Sequence, residues 1–418
     1  MTLCVTNQGL PSSARRSSSS GLVNARRVEL LLADPATAPH DAGVLVIDDS
    51  GDRKDGTKTA HVGHQWLGRY GKTDNGVVTV TTLWADERLY YPVDALPYTP
   101  AKHFAKGKGD PAFRTKLAIG ADLAVRARAA GFVFRAVAAD SAYGDQDGFR
   151  GELSEAGLPF VMALKPRRGV WAYGPDAHTP VDAARALAWD GPEDPGDWQP
   201  VTRAFRDGRA ETWYAADARL GWWGPDGARR LVVATADPAT LPDKATWYLV
   251  TNLPRPGSPR EADSPYPAAG LAEITRIYGI RHWIEQSYKQ VKDELGWADF
   301  QVRSDTAIRR HQALVNCAFS FCWAAWFADH PPQHDIAAPR PGPGRGERGA
   351  ARRRPGPGAV LAARAARSPR LAFPVDRAAA LVDRMVEGAP AAAAASPDQL
   401  GRGRLRPAPL HPELTDYR

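Results

Sequence analysis

Residues 113–164 read FRTKLAIGADLAVRARAAGFVFRAVAADSAYGDQDGFRGELSEAGLPFVMAL, and they constrain the architecture more than any other part of the chain. The opening part has apolar residues at helical spacing and ends at Gly131, a typical helix stop. Residues 132–139 then predict a strand, 146–156 a helix and 158–164 another strand. This alternation is typical of an α/β fold, in which helices cover a sheet.

The preceding segment adds three strands to this sheet. Residues 44–47 form a short apolar run between Gly43 and Asp48, which is the pattern of a buried strand. Residues 61–67 and 77–84 flank the turn sequence GKTDNG and predict a hairpin. We therefore expect a mixed sheet with flanking helices.

Farther along the chain the pattern changes twice. Residues 167–268 are rich in Trp and β-branched residues broken by Gly and Pro, which predicts a β-rich insertion. Two helices follow, at about 271–295 and 305–327. The domain organisation predicted from these boundaries is a short N-terminal segment at 1–40, a folded domain at 41–330 and a Pro/Ala/Arg-rich, mostly disordered tail at 331–418.

Charge and composition exclude several classes of protein. The net charge of +7 comes from residues 331–418, because residues 1–330 carry 39 basic and 39 acidic side chains. Three cysteines without paired spacing leave no disulfide framework or cysteine zinc site, and no signal peptide is evident. Residues 313–328 are apolar but shorter than the ~20 residues that span a bilayer. We expect a protein of a reducing compartment without a membrane partner.

Carboxylates stand at the ends of two predicted strands. Asp48 and Asp49 close the first strand, and Asp140 closes the strand after the first helix. Carboxylates in such positions can meet at one rim of a sheet. The alternative is ordinary, since Asp after a strand often caps a turn with its own side chain.

A third carboxylate lies on the predicted helix at 271–295. Helical geometry places Tyr278, Arg281, Glu285, Lys289 and Lys292 on one stripe, beside an apolar stripe that predicts the buried face. This placement puts Glu285 next to the sheet rim, with cations above and below it. A solvated ladder of salt bridges would explain the middle of the stripe equally well.

Three carboxylates from separate segments suit a site for two Mg²⁺ ions, because hard cations prefer oxygen ligands. Two such ions about 4 Å apart can activate an attacking oxygen and stabilise a leaving oxygen on phosphorus. Arg281, Lys289 and Lys292 would then hold backbone phosphates rather than read bases. A second basic group, at Lys102, Lys106, Lys108, Arg114 and Lys116, fits either phosphate binding or a solvated loop.

The spacing Tyr278-x2-Arg281-x3-Glu285-x6-Lys292 resembles the Tyr-Arg-Glu-Lys signature of DDE transposases of bacterial insertion sequences. Two further stretches, VLVIDDSGDRKDG and AADSAYGDQDGF, resemble the surroundings of the first and second catalytic aspartates of that family. The branch it resembles has an Asp-Asp-[Ser/Thr]-Gly first motif. The resemblance covers about residues 41–330.

The resemblance implies a ribonuclease H-like fold, a β-rich insertion before the glutamate helix, and metal binding by Asp48, Asp140 and Glu285. It implies two Mg²⁺ ions, for which Mn²⁺ can substitute. Asp48 is favoured over Asp49 because it lies nearer the strand, and the doublet leaves both open. The implied reaction is phosphodiester hydrolysis at element ends, followed by attack of the freed 3′ hydroxyl on target DNA.

The implied partners are the terminal inverted repeats, target DNA and a second copy of the chain in a synaptic homodimer. The implied location is the bacterial cytoplasm, at the nucleoid when DNA is bound. By the same likeness Tyr278, Arg281, Lys289 and Lys292 would contact DNA. Trp247 and Trp283 are candidates for stacking on a base, and the alternative is that they are core residues.

Two departures from the family pattern favour an alternative interpretation. Relatives generally begin with a helical domain that binds the element ends, whereas fewer than fifty residues precede Asp48 here, so residues 1–40 are expected to be a remnant of it. The tail composition also departs from the pattern. The alternative is therefore a truncated, catalytically inactive transposase that binds DNA non-specifically. A metal-independent acid/base hydrolase with paired carboxylates is the third hypothesis.

Overall fold

A computed structural model describes residues 19–205 and 209–330. Its strands are β1 (Val44–Arg53), β2 (Gly63–Leu67), β3 (Lys72–Ala85), β4 (Tyr90–Pro97), β5 (Ala136–Ala139), β6 (Phe160–Ala163), β7 (Gln199–Ala204), β8 (Ala210–Ala218), β9 (Arg230–Thr235) and β10 (Thr246–Thr251). Its helices are α1 (Ser19–Ala33), α2 (Lys116–Ala129), α3 (Ser141–Gly144), α4 (Asp147–Glu155), α5 (Pro180–Arg185), α6 (Pro259–Asp263), α7 (Leu271–Ile280), α8 (His282–Asp293) and α9 (Asp305–Asp329).

These strands form one mixed sheet in the order β2-β3-β1-β5-β6-β10-β9-β8-β7, with β4 also paired to β3. β1, β5 and β6 are parallel, and the other pairings are antiparallel. The apolar run Val44–Ile47 is fully buried, because β1 lies inside the sheet and both of its faces are covered. The predicted α/β class with a ribonuclease H-like mixed sheet is confirmed.

The central helix and strand agree with the sequence pattern, with shorter bounds. α2 begins at Lys116 because the hydroxyl of Thr115 accepts a hydrogen bond from the backbone N–H of Ala118. Gly131 ends this segment with a φ of +102°, a conformation that glycine adopts readily. β5 starts only at Ala136, so the first half of the predicted strand at 132–139 is a connecting segment.

The predicted β-rich region extends the same sheet instead of standing apart from it. β10 pairs antiparallel with β6, with Leu249 opposite Ala163, and β9, β8 and β7 follow outward. The β-rich character of this region was therefore predicted correctly. Its junction with the parallel strands was not anticipated. The domain boundaries at 40, 167, 268 and 330 stay predictions.

The single helix predicted at 271–295 is two helices, and this prediction was wrong. α7 and α8 meet at Arg281, where Arg281 N–H donates to Tyr278 O and Ile284 N–H donates to Arg281 O, each across three residues. Gly279, a weak helix former, lies just before this junction.

α1 was not predicted, although it is anchored firmly. The buried guanidinium of Arg27 donates to the carbonyl oxygens of Pro92 and Val93 on β4 and to the hydroxyl of Ser320 on α9. α1 packs along α9, which contains the apolar stretch at 313–328. Within residues 19–205 and 209–330, no helix is long and apolar enough to cross a membrane. The predicted tail at 331–418 lies outside the described residues.

Candidate active site

Asp48 and Asp49 lie in the middle of β1, and their side chains point to opposite faces of the sheet because side chains alternate along a strand. On one face, Asp49 accepts hydrogen bonds from Lys116 Nζ at 2.9 Å and from the hydroxyl of Tyr143 at 3.2 Å. On the other face, Asp48 Oδ2 lies 3.5 Å from Arg281 Nη1, at the start of α8. The two neighbouring carboxylates therefore have different partners.

Asp140 stands beside Asp48 at the edge formed by the carboxyl end of β5, whereas β1 does not end at Asp48, as the sequence predicted, but continues to Arg53. β1 and β5 are parallel with Ile47 opposite Ala139, so Asp48 and Asp140 each follow a paired residue. Asp140 accepts a hydrogen bond from the backbone N–H of Ala142 and so caps α3. α3 fits closely on β6, because a Cβ atom at Gly144 would collide with the Ala163 carbonyl oxygen.

Glu285 is connected to Asp48 at this edge by Arg281, which contacts both carboxylates. Glu285 Oε1 lies 3.1 Å from Arg281 Nη2, so one guanidinium contacts both Asp48 and Glu285. The Glu285 side chain is 62% exposed, whereas that of Arg281 is largely buried. The carboxylate is therefore open to solvent and to a substrate, while the guanidinium fixes the end of α8 against β1.

Burial raises the pKa of Asp48 to about 7. The negative charges of Asp140 and Asp49 contribute to this rise in pKa, while Arg281 and the backbone N–H of Asp49 oppose it. The surroundings therefore disfavour a second negative charge beside Asp140, which is the electrostatic setting in which an added cation is most strongly attracted.

The donor set matches a divalent cation in chemical type. Asp48, Asp140 and Glu285 offer carboxylate oxygens, the ligands that Mg²⁺ and Mn²⁺ prefer. Within residues 19–205 and 209–330, no three His, Cys, Asp or Glu side chains are grouped closely enough to hold a metal ion together. Arg281 lies between two of the three carboxylates, so its cation neutralises part of the charge that a metal would otherwise balance.

The aromatic residues predicted to contact DNA occupy two different environments. Tyr278 is partly buried against Trp247, with ring centroids 5.0 Å apart, and the guanidinium of Arg203 covers the Trp247 ring at 4.5 Å. Trp283 is 4% exposed and stacks on Tyr90 with centroids 4.5 Å apart. Tyr278 and Trp247 thus form one cluster at the junction of α7 with the sheet, and Trp283 lies in the core.

The two lysines predicted on the polar stripe of α8 also differ. Lys289 is exposed. Lys292 is 5% exposed, and its Nζ lies 2.7 Å from Asp52 Oδ1 and donates to Gly51 O at 3.1 Å. Lys292 therefore fastens α8 to β1.

Three residues at this edge were not singled out as active-site residues from sequence. Lys116 and Tyr143 bind Asp49, and Tyr288 shares a hydrogen bond of 2.5 Å with the Thr81 hydroxyl on β3. Burial raises the pKa of Tyr288 well above its ordinary value, and Asp48 raises it further. Tyr143 lies inside the AADSAYG motif, which was a signal for it, whereas Tyr288 depends on the orientation of α8.

Asp48→Asn is expected to raise the stability of the metal-free protein above pH 7. The folded-state pKa of about 7 exceeds the ordinary 3.8, so this carboxyl stabilises the fold below pH 4, and that contribution is lost as pH rises through 7. Asn removes the cost of the buried charge, about 4 kcal/mol for a rise of about three pKa units at ~1.4 kcal/mol per unit. Urea unfolding at pH 8 and pH 5 measures the difference.

The control for this pH effect is Asp55→Asn, since the Asp55 side chain is 93% exposed. Its free energy of unfolding should match that of the wild type at both pH values. An Asp48→Asn protein that is no more stable than the wild type at pH 8 would contradict the raised pKa.

Comparison with known proteins identifies the family of the chain. The family model described as DDE superfamily endonuclease matches residues 9–219, a range that includes Asp48 and Asp140 and ends before α8. The chain is 32% identical over 260 residues to a protein named as the probable transposase for insertion sequence element IS701 of Microchaete diplosiphon. That alignment covers 62% of this chain and 60% of the relative's length. The family match spans half of the chain, which therefore belongs to the DDE superfamily of endonucleases.

Proposed function

We propose that this protein is the transposase of an insertion sequence. It hydrolyses a phosphodiester at each end of the element and then joins the freed 3′ hydroxyl to target DNA. The observation that carries the proposal is the contact of one guanidinium, that of Arg281, with both Asp48 and Glu285 at the edge where Asp140 also lies. The named transposase relative supports the same reaction.

We assign the metal-binding roles to Asp48, Asp140 and Glu285, which would hold two Mg²⁺ ions, or Mn²⁺ in their place. When bound, such ions lower the pKa of an attacking hydroxyl and stabilise charge on the leaving oxygen. Asp48 is preferred to Asp49, because Asp49 faces away from α8 and is already bound by Lys116 and Tyr143.

The remaining side chains position the substrate and the carboxylates. Arg281 holds Glu285 near Asp48 in the free protein and is placed to receive a phosphate when a cation enters. Lys289 is exposed one turn beyond Glu285, where it can contact the DNA backbone. Tyr278 and Trp247 present a partly exposed aromatic cluster to the same edge. A DNA contact by Lys292 or Trp283 requires these buried side chains to leave their partners.

The proposed partners are the terminal inverted repeats and target DNA. Bringing two ends together calls for two active sites, so we propose a homodimer in the complex with both ends. The proposed location is the bacterial cytoplasm, at the nucleoid while DNA is bound.

Removing divalent cations is expected to abolish cleavage of labelled DNA that carries the element's own ends. The full chain should cut this DNA with Mg²⁺ or Mn²⁺ and should leave it intact with EDTA, and restoring Mg²⁺ should recover the products. Denaturing gels resolve the nicked strand and the joined product. Cleavage that continues in EDTA would contradict the metal-dependent reaction, and binding without any cleavage would favour an inactive copy.

A further inference from the structure

The segment at 99–115, here called the β4–α2 loop, carries three lysines outside the site described above. Lys102, Lys106 and Lys108 are all exposed. Within the part of the chain that the structure describes, their ammonium groups have no ion pair or hydrogen bond, whereas many exposed arginines do. Three such cations in seven residues form a concentrated positive surface.

The β4–α2 loop has a defined fold. It contains two 3₁₀ turns, Ala101–His103 and Gly107–Gly109. The first contains Lys102, and the second contains Lys108 and directly follows Lys106. The ring of Phe113 contacts those of Phe104 and Tyr98, with centroids 5.7 and 6.4 Å apart. His103 Nε2 donates to Val62 O at 2.7 Å, which ties the loop to the neighbouring segment. The lysines therefore project from an ordered support.

The one acidic residue of the β4–α2 loop, Asp110, offsets one of the three lysine charges. Asp110 accepts hydrogen bonds from the backbone N–H groups of Ala112 at 3.0 Å and Lys106 at 3.4 Å. Its carboxylate holds the turn and keeps its negative charge, so the three lysines still leave this surface with a net positive charge.

Both ends of the β4–α2 loop are attached close to β1, the strand that carries Asp48. At its end, α2 begins with Lys116, whose Nζ binds Asp49. At its start, the backbone N–H of Tyr98 donates to Val78 O, and Val78 pairs with Gly51 of β1. The lysines are therefore attached on both sides to residues within three positions of Asp48.

We propose that Lys102, Lys106 and Lys108 bind the phosphodiester backbone of duplex DNA beside the carboxylate edge. This inference rests on the proposed function, because it names a surface that holds the DNA on which the site acts. Lysine ammonium groups contact phosphates as mobile point charges and release bound counterions, so they favour DNA of any sequence. The three lysines would position the duplex and would contribute nothing to base recognition.

The test replaces all three lysines with glutamine and measures binding of the full chain to a labelled duplex several helical turns long, in EDTA, by fluorescence anisotropy. For a duplex, the logarithm of the binding constant falls against the logarithm of salt concentration with a slope of about 0.9 per phosphate contact. The triple variant should lose about 2–3 from the magnitude of this slope. Its melting temperature should equal that of the wild type.

A matched control removes the same amount of charge elsewhere, at Arg26, Arg88 and Arg128, again by change to glutamine. Arg88 lies in the turn between β3 and β4, at the opposite edge of the sheet, since Ala85 pairs with the first residue of β1. The control variant should keep the wild-type slope. The basic residues of the segment at 331–418 are present in all three proteins and cancel in the comparison.

Equal slopes for the lysine variant and the wild type would overturn the inference. An equal loss of slope in the control variant would also overturn it, because net charge alone would then explain the salt dependence of binding. Neither result bears on cleavage, because binding is measured in EDTA. Conversely, if the slope differs between the wild type and the lysine variant as expected but the wild type never cleaves DNA, the inference about the lysine surface stands and the proposed function is rejected.

Discussion

Glu285→Gln is expected to lower the rate of DNA cleavage by about three orders of magnitude or more, while the protein folds normally. The carboxylate is 62% exposed and contacts Arg281, so replacing it removes little packing. An amide cannot balance the charge of a divalent cation, and the charge stabilisation that such ions supply is worth several kcal/mol, or about a thousandfold in rate. Single-turnover cleavage at saturating protein measures the chemical step without interference from product release.

The matched control is Glu294→Gln, an exposed glutamate at the end of the same helix, α8. This variant should cleave at the wild-type rate. Asp48→Asn and Asp140→Asn should each lose as much activity as Glu285→Gln, and a double variant should lose little more, because ligands of one site act as a unit. A Glu285→Gln protein that cleaves normally would remove α8 from the active site.

The parallel core of the fold could be predicted from sequence because its signals are local. Val44–Ile47 is apolar at every position, as a strand covered on both faces must be, and Gly131 ends the helix that follows. The alignment of Ile47 with Ala139 then places Asp48 and Asp140 together, as the sequence indicated. The position of β10 next to β6 could not be predicted in this way, since strand order depends on contacts between distant segments.

The choice between Asp48 and Asp49 shows where the sequence stops being sufficient. Alternation along β1 sends the two side chains to opposite faces, which the sequence does predict. Which face α8 covers is decided by packing that involves residues more than two hundred positions away. As a result, Arg281 contacts Asp48, while Lys116 and Tyr143 contact Asp49.

The prediction that Lys289 and Lys292 share one polar stripe of α8 was wrong in part for a related reason. Helical geometry places Glu285, Lys289 and Lys292, all within α8, on one side of the helix without showing how far the buried face extends. Lys289 is exposed, but Lys292 lies against β1 and forms an ion pair with Asp52. A lysine that pairs with a buried carboxylate and a lysine in solvent are the same residue type in the sequence, so no local pattern distinguishes Lys292 from Lys289.

Lys292→Met is expected to lower the free energy of unfolding by about 3–5 kcal/mol, because it leaves the carboxylate of Asp52 buried without its partner. Lys292 and Asp52 are each 5% exposed, and Gly51 O also loses its donor. Lys54, whose charge also acts on Asp52, donates instead to the carbonyl oxygens of Ala298 and Phe300 and cannot replace the lost partner without breaking those bonds. Urea unfolding followed by tryptophan fluorescence measures the loss, with an unchanged dependence on urea.

Lys289→Met is the control on the same helix, three residues earlier. It should leave the free energy of unfolding within about 0.5 kcal/mol of the wild type, as for most surface substitutions, and should weaken DNA binding. The double change Lys292→Met with Asp52→Asn should recover part of the stability, because it removes the stranded charge along with its partner. If Lys292→Met folds as stably as the wild type and loses DNA affinity instead, Lys292 belongs to the DNA-binding surface and the buried pair with Asp52 does not hold α8 on β1.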